Sequence, residues 1–127
     1  MEFFFNPKGV AVIGATENMA KGGFHLLRNV IDSYQGTIYP VNPRYSKLMG
    51  VPCYPDVASI PDDFDLAVYF IPAPSLPKTI EECASKKVKG IIIESAGFSE
   101  VGEEGRRLQE ECVSLAKRHG IRLWGPN

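Results

Sequence analysis

Val10-Ala11-Val12-Ile13-Gly14-Ala15-Thr16 is the stretch on which the fold turns. A run rich in β-branched residues predicts a strand, and it halts at a glycine. After a short polar loop the chain restarts at Lys21-Gly22-Gly23 and continues as a helix predicted over Phe24 to Ser33. A strand, a tight glycine turn and a helix present the N–H groups of the helix's first turn to an anion, and open α/β sheets receive phosphates in this way. The stretch therefore speaks of a ligand as well as a fold. It leaves open which nucleotide.

Working outward, five short β-rich runs recur along the chain: Gly9 to Gly14, Thr37 to Val41, Asp65 to Ile71, Gly90 to Glu94 and Ile121 to Trp124. They are continuous rather than alternating, as in Leu66-Ala67-Val68-Tyr69-Phe70-Ile71. Strands of this kind are buried on both faces, as in a parallel sheet covered by helices. Helical spacing fills the intervals. Phe24, Leu27, Val30 and Ile31 form one stripe, and Leu76, Ile80 and Cys83 form another between Ser75 and Lys87, with Pro77 in its first turn. Leu108, Cys112, Leu115 and His119 form a third, with Glu103 and Glu104 at its start, Lys117 and Arg118 at its end, and Gly120 to stop it. Pro43 to Asp63 is proline-rich and aperiodic, and is expected to be a loop with one short helix near Val57. Strands alternating with helices give βαβ units. The predicted class is α/β, a Rossmann-like doubly wound parallel sheet of about five strands with helices on both faces.

Length and charge narrow the function. The 127 residues make one domain. Fourteen basic against fifteen acidic residues leave a net charge of −1, which argues against a nucleic-acid surface. No apolar run approaches the length of a membrane span, and Asn6-Pro7-Lys8 cuts short the aromatic opening before a signal-peptide core can form. A cytoplasmic location is the simplest expectation. Cys53, Cys83 and Cys112 are odd in number and far apart, so buried thiols are expected rather than a metal or redox pair. Gly125-Pro126-Asn127 follows directly on a strand at the ligand-facing edge, so residues 1–127 are expected to form the N-terminal part of a longer protein.

The loops at the strand ends carry the ligand question. A dinucleotide fingerprint reads GxGxxG, whereas here Thr16 replaces the second glycine and Gly22-Gly23 come late. The Thr16 hydroxyl, the free N–H groups near Gly22 and Gly23 and the Lys21 ammonium suit phosphate oxygens; alternatively the glycines only permit a tight loop and Lys21 is solvated. An NAD site places an acid at the end of the second strand. Here stand Asn42, Pro43 and Arg44, an environment for a phosphorylated ribose, whether the 2′-phosphate of NADP or the 3′-phosphate of coenzyme A, or else a loop with a solvated arginine. Pro72 gives a rigid wall after the third strand. Ser95, Ala96 and Gly97 follow the fourth, with Phe98 available for apolar contact or for the core.

Taken together, Ala11-Val12-Ile13-Gly14-Ala15-Thr16, Ile38-Tyr39-Pro40-Val41-Asn42-Pro43, Ser95-Ala96-Gly97-Phe98-Ser99-Glu100 with Gly102-Glu103-Glu104-Gly105, and Gly125-Pro126-Asn127 occur in order. This set resembles the N-terminal CoA-binding domain of the NDP-forming (ADP-forming) acyl-CoA synthetases, or acetate–CoA ligases. The fold is similar to the first domain of the succinyl-CoA synthetase α subunit. The resemblance implies that the strand-end loops cradle CoA through Gly14, Ala15, Thr16, Lys21, Asn42, Pro43, Arg44, Pro72, Ser95, Ala96 and Gly97, and the free N–H near Gly22 adds that residue to the set. It also implies a reaction in which acid, CoA and ATP become acyl-CoA, ADP and phosphate. The phosphohistidine and the ATP-grasp parts of that reaction belong to other domains or to a partner subunit.

No catalytic residue is expected within the chain. His25 and His119 fall on helices as structural or solvated side chains, and no Ser/His/Asp grouping, metal-ligand cluster or paired carboxylate is visible. Glu100, Glu103 and Glu104 read as a helix N-terminus favourable to negative charge. Three other readings stay open. They are a free-standing CoA-binding regulatory protein, the sensor domain of a protein-lysine acetyltransferase, and an NADP-binding oxidoreductase domain, the last disfavoured by the absent GxGxxG.

Overall fold

Every residue of the first strand, β1 (Gly9–Ile13), is buried, because both faces of the sheet are covered. The computed structural model describes residues 2–125. In chain order it shows α1 (Glu2–Phe5), β1, α2 (Gly22–Ser33), β2 (Thr37–Val41), β3 (Lys47–Leu48), β4 (Val51–Pro52), β5 (Leu66–Tyr69), α3 (Leu76–Ser85), β6 (Gly90–Ile93), α4 (Glu103–His119) and β7 (Arg122–Trp124). Five strands form one sheet in the order β2-β1-β5-β6-β7, and all four pairings are parallel. The chain winds outward from β1 to β2 and then crosses to β5 on the other side. The switch in winding therefore falls between β1 and β5, where open α/β sheets leave a crevice.

Alternation along the strands splits the core in two. Val10, Val12, Leu66 and Val68 pack with Leu27 of α2 on one face. Ala11, Ile13, Ala67, Tyr69, Ile91 and Ile93 pack on the other with Leu76, Ile80 and Cys83 of α3 and Cys112 and Ala116 of α4. The continuous apolar runs thus feed two cores at once. α4 ends as its sequence predicts: Gly120 takes the left-handed conformation at φ 70°, and its N–H donates to the carbonyls of Ala116 and Lys117. All three cysteines are buried thiols. Burial pushes Cys83 up to about 12 and Cys112 up to about 11.

Two local features depart from expectation. α2 starts at Gly22, two residues before the predicted Phe24, so both glycines lie inside the helix. Within the stretch expected to be a loop, β3 and β4 pair as a small antiparallel hairpin. Met49 and Gly50 at its turn both have positive φ, 49° and 80°, as the tight mirror-image hairpin turns require. Two-residue strands carry no periodicity, and methionine is not the residue such a turn favours, so nothing in the sequence announced it. The helix expected near Val57 is a single 3-10 turn, Val57–Ser59, capped by Asp56, whose Oδ1 accepts from the Ser59 N–H at 2.8 Å. The opening aromatics form α1, with the Phe3 and Phe4 rings 5.9 and 4.6 Å from Trp124 on the edge strand β7. Phe98 belongs to the core and is fully buried. Of the Gly125-Pro126-Asn127 motif, Pro126 and Asn127 lie outside the described residues.

Candidate ligand cleft at the strand ends

The site is built where β1 and β5 end. Gly14 turns the chain at φ 97°, and a Cβ there would overlap the Phe70 carbonyl, so only glycine lets the two strand ends lie this close. Its N–H donates to the Val41 carbonyl at 3.0 Å, while the Phe70 N–H donates to the Ile13 carbonyl at 2.8 Å. Gly22 and Gly23 have the same physical cause. A Cβ on the first would enter the Phe70 ring, and one on the second would overlap the Gly14 carbonyl. The glycines thus bring the N-terminus of α2 down onto the strand ends. The arrangement opens a cleft of about 540 Å³, within the roughly 300–1,000 Å³ common for small-molecule sites.

Nine of the twelve residues singled out in the sequence line this cleft. Gly14, Thr16, Lys21 and Gly22 come from the β1–α2 segment, Asn42 and Arg44 follow β2, Pro72 follows β5, and Ser95 and Ala96 follow β6. Three do not. Ala15 is fully buried beneath it and contributes a carbonyl, to which Asn42 Nδ2 donates at 2.8 Å. Pro43 faces a second cavity of about 210 Å³ on the α3 side, beside Asp56, Lys78 and Glu82. Gly97, at φ 109°, donates its N–H to the Glu100 carboxylate, as Phe98 does at 3.0 Å. Those backbone donors, Gly97's foremost, hold Glu100 below the usual carboxylate range.

Several of the lining groups are already engaged within the protein. Thr16 Oγ1 accepts from the Asn18 N–H at 3.1 Å and lies 3.1 Å from the Tyr45 hydroxyl across the cleft. Ser95 Oγ donates to the Ile71 carbonyl at 2.6 Å, tying the β6 end to the β5 end. Asn42 Oδ1 accepts from the Arg44 N–H at 2.9 Å, so one amide side chain braces both the Gly14 turn and the base of Arg44.

The charge of the cleft is one-sided. Lys21 and Arg44 line it, and among the described residues no aspartate or glutamate does. Neither cation forms an ion pair within the described residues, although Arg28, Lys87, Lys89, Arg106 and Arg107 elsewhere do. The sequence reading missed Asn18, Tyr45, Phe70 and Ile71, which line the cleft together with Gly23. Phe70 and Ile71 close the apolar run that reads as strand. β5 ends at Tyr69, so these two leave the sheet and become cleft wall. His25 is exposed on α2, and His119 lies 3.3 Å from Glu81 on the far helix pair. Among the described residues no group of three or more His, Cys, Asp or Glu side chains could hold a metal ion, and no helix is long and apolar enough to cross a membrane.

Known proteins share both the sequence and the shape. The acetate–CoA ligase (ADP-forming) I of Archaeoglobus fulgidus is 47% identical over 127 residues, which cover 100% of this chain and 18% of the ligase. A crystal structure of a Pyrococcus horikoshii OT3 protein superposes with a TM-score of 0.93 at 43% identity, over 99% of this chain and 29% of that one. The apo dinucleotide-forming acetyl-coenzyme A synthetase 1 of Ca. Korarchaeum cryptofilum superposes at 0.92 with 39% identity, over 99% and 27%. The chain thus spans less than a third of each of these relatives. The family model described as the CoA-binding domain matches residues 8–127, beginning at the residue before β1. With that match covering every segment that builds the cleft, the chain belongs to the CoA-binding domain family.

Proposed function

We propose that the cleft between the β1 and β5 ends holds coenzyme A, and that this chain is the CoA-binding part of an ADP-forming acyl-CoA ligase. The observation that carries the reading is the cleft's composition among the described residues: two cations without ion-pair partners, no carboxylate, and an apolar wall of Phe70, Ile71 and Pro72. That set fits a ligand with several phosphates at one end and less polar groups beyond them. The residue set is the nine cleft-lining residues named from the sequence together with Tyr45, Phe70 and Ile71, with Ala15, Pro43 and Gly97 in the loops that support them. Within it Lys21 and Arg44 meet phosphate oxygens. Thr16 and Ser95 shape the loops, because their hydroxyls are committed to protein partners. CoA supplies the thiol that accepts the acyl group, and the chain's own residues bind and orient it without making or breaking a bond.

In this reading residues 1–127 are one domain of a longer cytoplasmic protein. Acid, CoA and ATP become acyl-CoA, ADP and phosphate only with domains or a partner subunit that carry the phosphohistidine and the ATP-grasp parts. The ligases among the relatives support it, as does the P. furiosus acetate–CoA ligase II α subunit, 42% identical over the whole of this chain. An oxidoreductase reading lacks support at the β2 end, where Asn42-Pro43-Arg44 stands in place of the acid that binds an NAD ribose. Calorimetry with CoA, dephospho-CoA, NADP and NAD tests the proposal. CoA should bind tightest and NAD weakest, and tighter binding of NAD than of CoA refutes it.

A further inference from the structure

The loop that carries Lys21 into the cleft has no apolar anchor. Glu17, Asn18, Met19, Ala20 and Lys21 are all exposed, and Met19 stands 69% accessible at the tip. Its shape rests on polar contacts alone. Asn18 is the hub: its N–H reaches Thr16 Oγ1, its Oδ1 accepts from Ala20 N–H at 3.0 Å, and its carbonyl accepts from Lys21 N–H at 3.0 Å. Thr16 in turn meets Tyr45. These contacts shape the loop but do not tie its tip to a rigid element. One further contact does: His25 Nε2 donates to the Met19 carbonyl at 3.0 Å. His25 sits in the first turns of α2, and its ring stands edge-on to the half-buried Phe24 ring at 5.2 Å and 87°.

We propose that His25 is a positioning residue. By holding the Met19 carbonyl, it pins the loop tip to α2 before any ligand arrives, and so keeps Lys21 and the loop facing the cleft. A loop held in its binding shape avoids the ordering cost on association, whereas a free one must be ordered at that moment. The affinity consequence rests on the CoA reading of the cleft; the pinning of the loop does not.

Two variants of this chain and two measurements separate these levels. His25→Ala removes the donor, and His25→Gln returns an N–H at about the position of Nε2. Hydrogen–deuterium exchange on the ligand-free protein reads the loop, and CoA titration reads affinity. In His25→Ala, the amides of Ala20 and Lys21 should exchange faster while the melting temperature stays at the parent's. CoA affinity should fall about five- to tenfold. His25→Gln should restore both. Unchanged exchange at Ala20 and Lys21 in His25→Ala overturns the proposal whatever CoA does. So does an equal loss in both variants accompanied by a lower melting temperature, since that marks a merely structural histidine. If the loop loosens as expected but the parent itself fails to bind CoA, the positioning role stands and the identity of the ligand falls.

Discussion

Replacing Arg44 tests whether the cleft meets the phosphate that distinguishes CoA from its dephospho form. The side chain is exposed at the rim and has no acidic partner among the described residues. Its backbone is fixed through Asn42, whose own amide is bonded to Ala15. A hydrogen bond to a charged group contributes about 1.5–3 kcal/mol, and the attraction of unit charges 4 Å apart runs from about 1 kcal/mol in water to about 4 at a protein surface. Exposure places Arg44 toward the lower end, so Arg44→Ala should cost about 1–2 kcal/mol, or roughly five- to thirtyfold in CoA affinity. Dephospho-CoA lacks the 3′-phosphate, so its affinity should change by less than about twofold if Arg44 meets that group. Arg44→Glu should weaken CoA further through repulsion, and the parent's preference for CoA should shrink as salt screens the contact. Isothermal titration of both ligands against both variants, at two salt concentrations, reads every term. Equal losses for CoA and dephospho-CoA would show that Arg44 does not meet the 3′-phosphate. No loss for either would make it a solvated loop charge.

Two further expectations concern the scaffold. Lys87 ends α3 with a left-handed backbone, φ 62°, while the Val88 N–H closes on the Cys83 carbonyl at 3.1 Å. Lys87→Gly should therefore raise stability by about 0.5–1 kcal/mol in chemical denaturation, because glycine adopts that conformation freely and the 3.7 Å pair with Asp63 is exposed; a loss of stability would refute it. The buried thiols set an alkaline limit. Burial raises Cys83 to about 12 and Cys112 to about 11, against an ordinary value of 9.0. The folded state keeps these protons longer than the unfolded chain, so stability is intact below pH 9 and declines as pH rises toward 11. The parent's melting temperature should fall over that interval more steeply than that of a Cys83→Ala/Cys112→Ala variant, and parallel curves would remove the thiols as the cause.

Much of this molecule was legible in its sequence. All five sheet strands and the three long helices fall where continuous apolar runs and three-to-four spacing place them, within a residue or two at most ends. What escaped was short or aperiodic. The β3–β4 hairpin has two-residue strands and a turn through Met49, and Phe98 reads equally well as a ligand contact or as core until its burial is seen. At the site, residue types at the strand ends marked which segments converge, because a parallel sheet brings all its carboxyl ends to one edge. The sequence could not assign each group's duty. A hydroxyl such as that of Thr16 or Ser95 serves a ligand or the protein according to what lies within 3 Å of it, and those neighbours, Tyr45 and the Ile71 carbonyl, come from other loops.

The opening strand and glycine turn divide along the same line. By itself the sequence determined that Val10 to Ile13 form a doubly buried strand, that the chain turns at Gly14, and that a helix follows, since hydrophobic period and glycine are local properties. Only the tertiary structure decided why three glycines stand there. Gly14, Gly22 and Gly23 let the β1 end, the Phe70 segment and the first turn of α2 pack closer than any Cβ allows. It alone brought Lys21 and Arg44, 23 positions apart, into one cleft. Contacts between segments distant in sequence have no period to betray them, and they arise only when the strands take their order in the sheet.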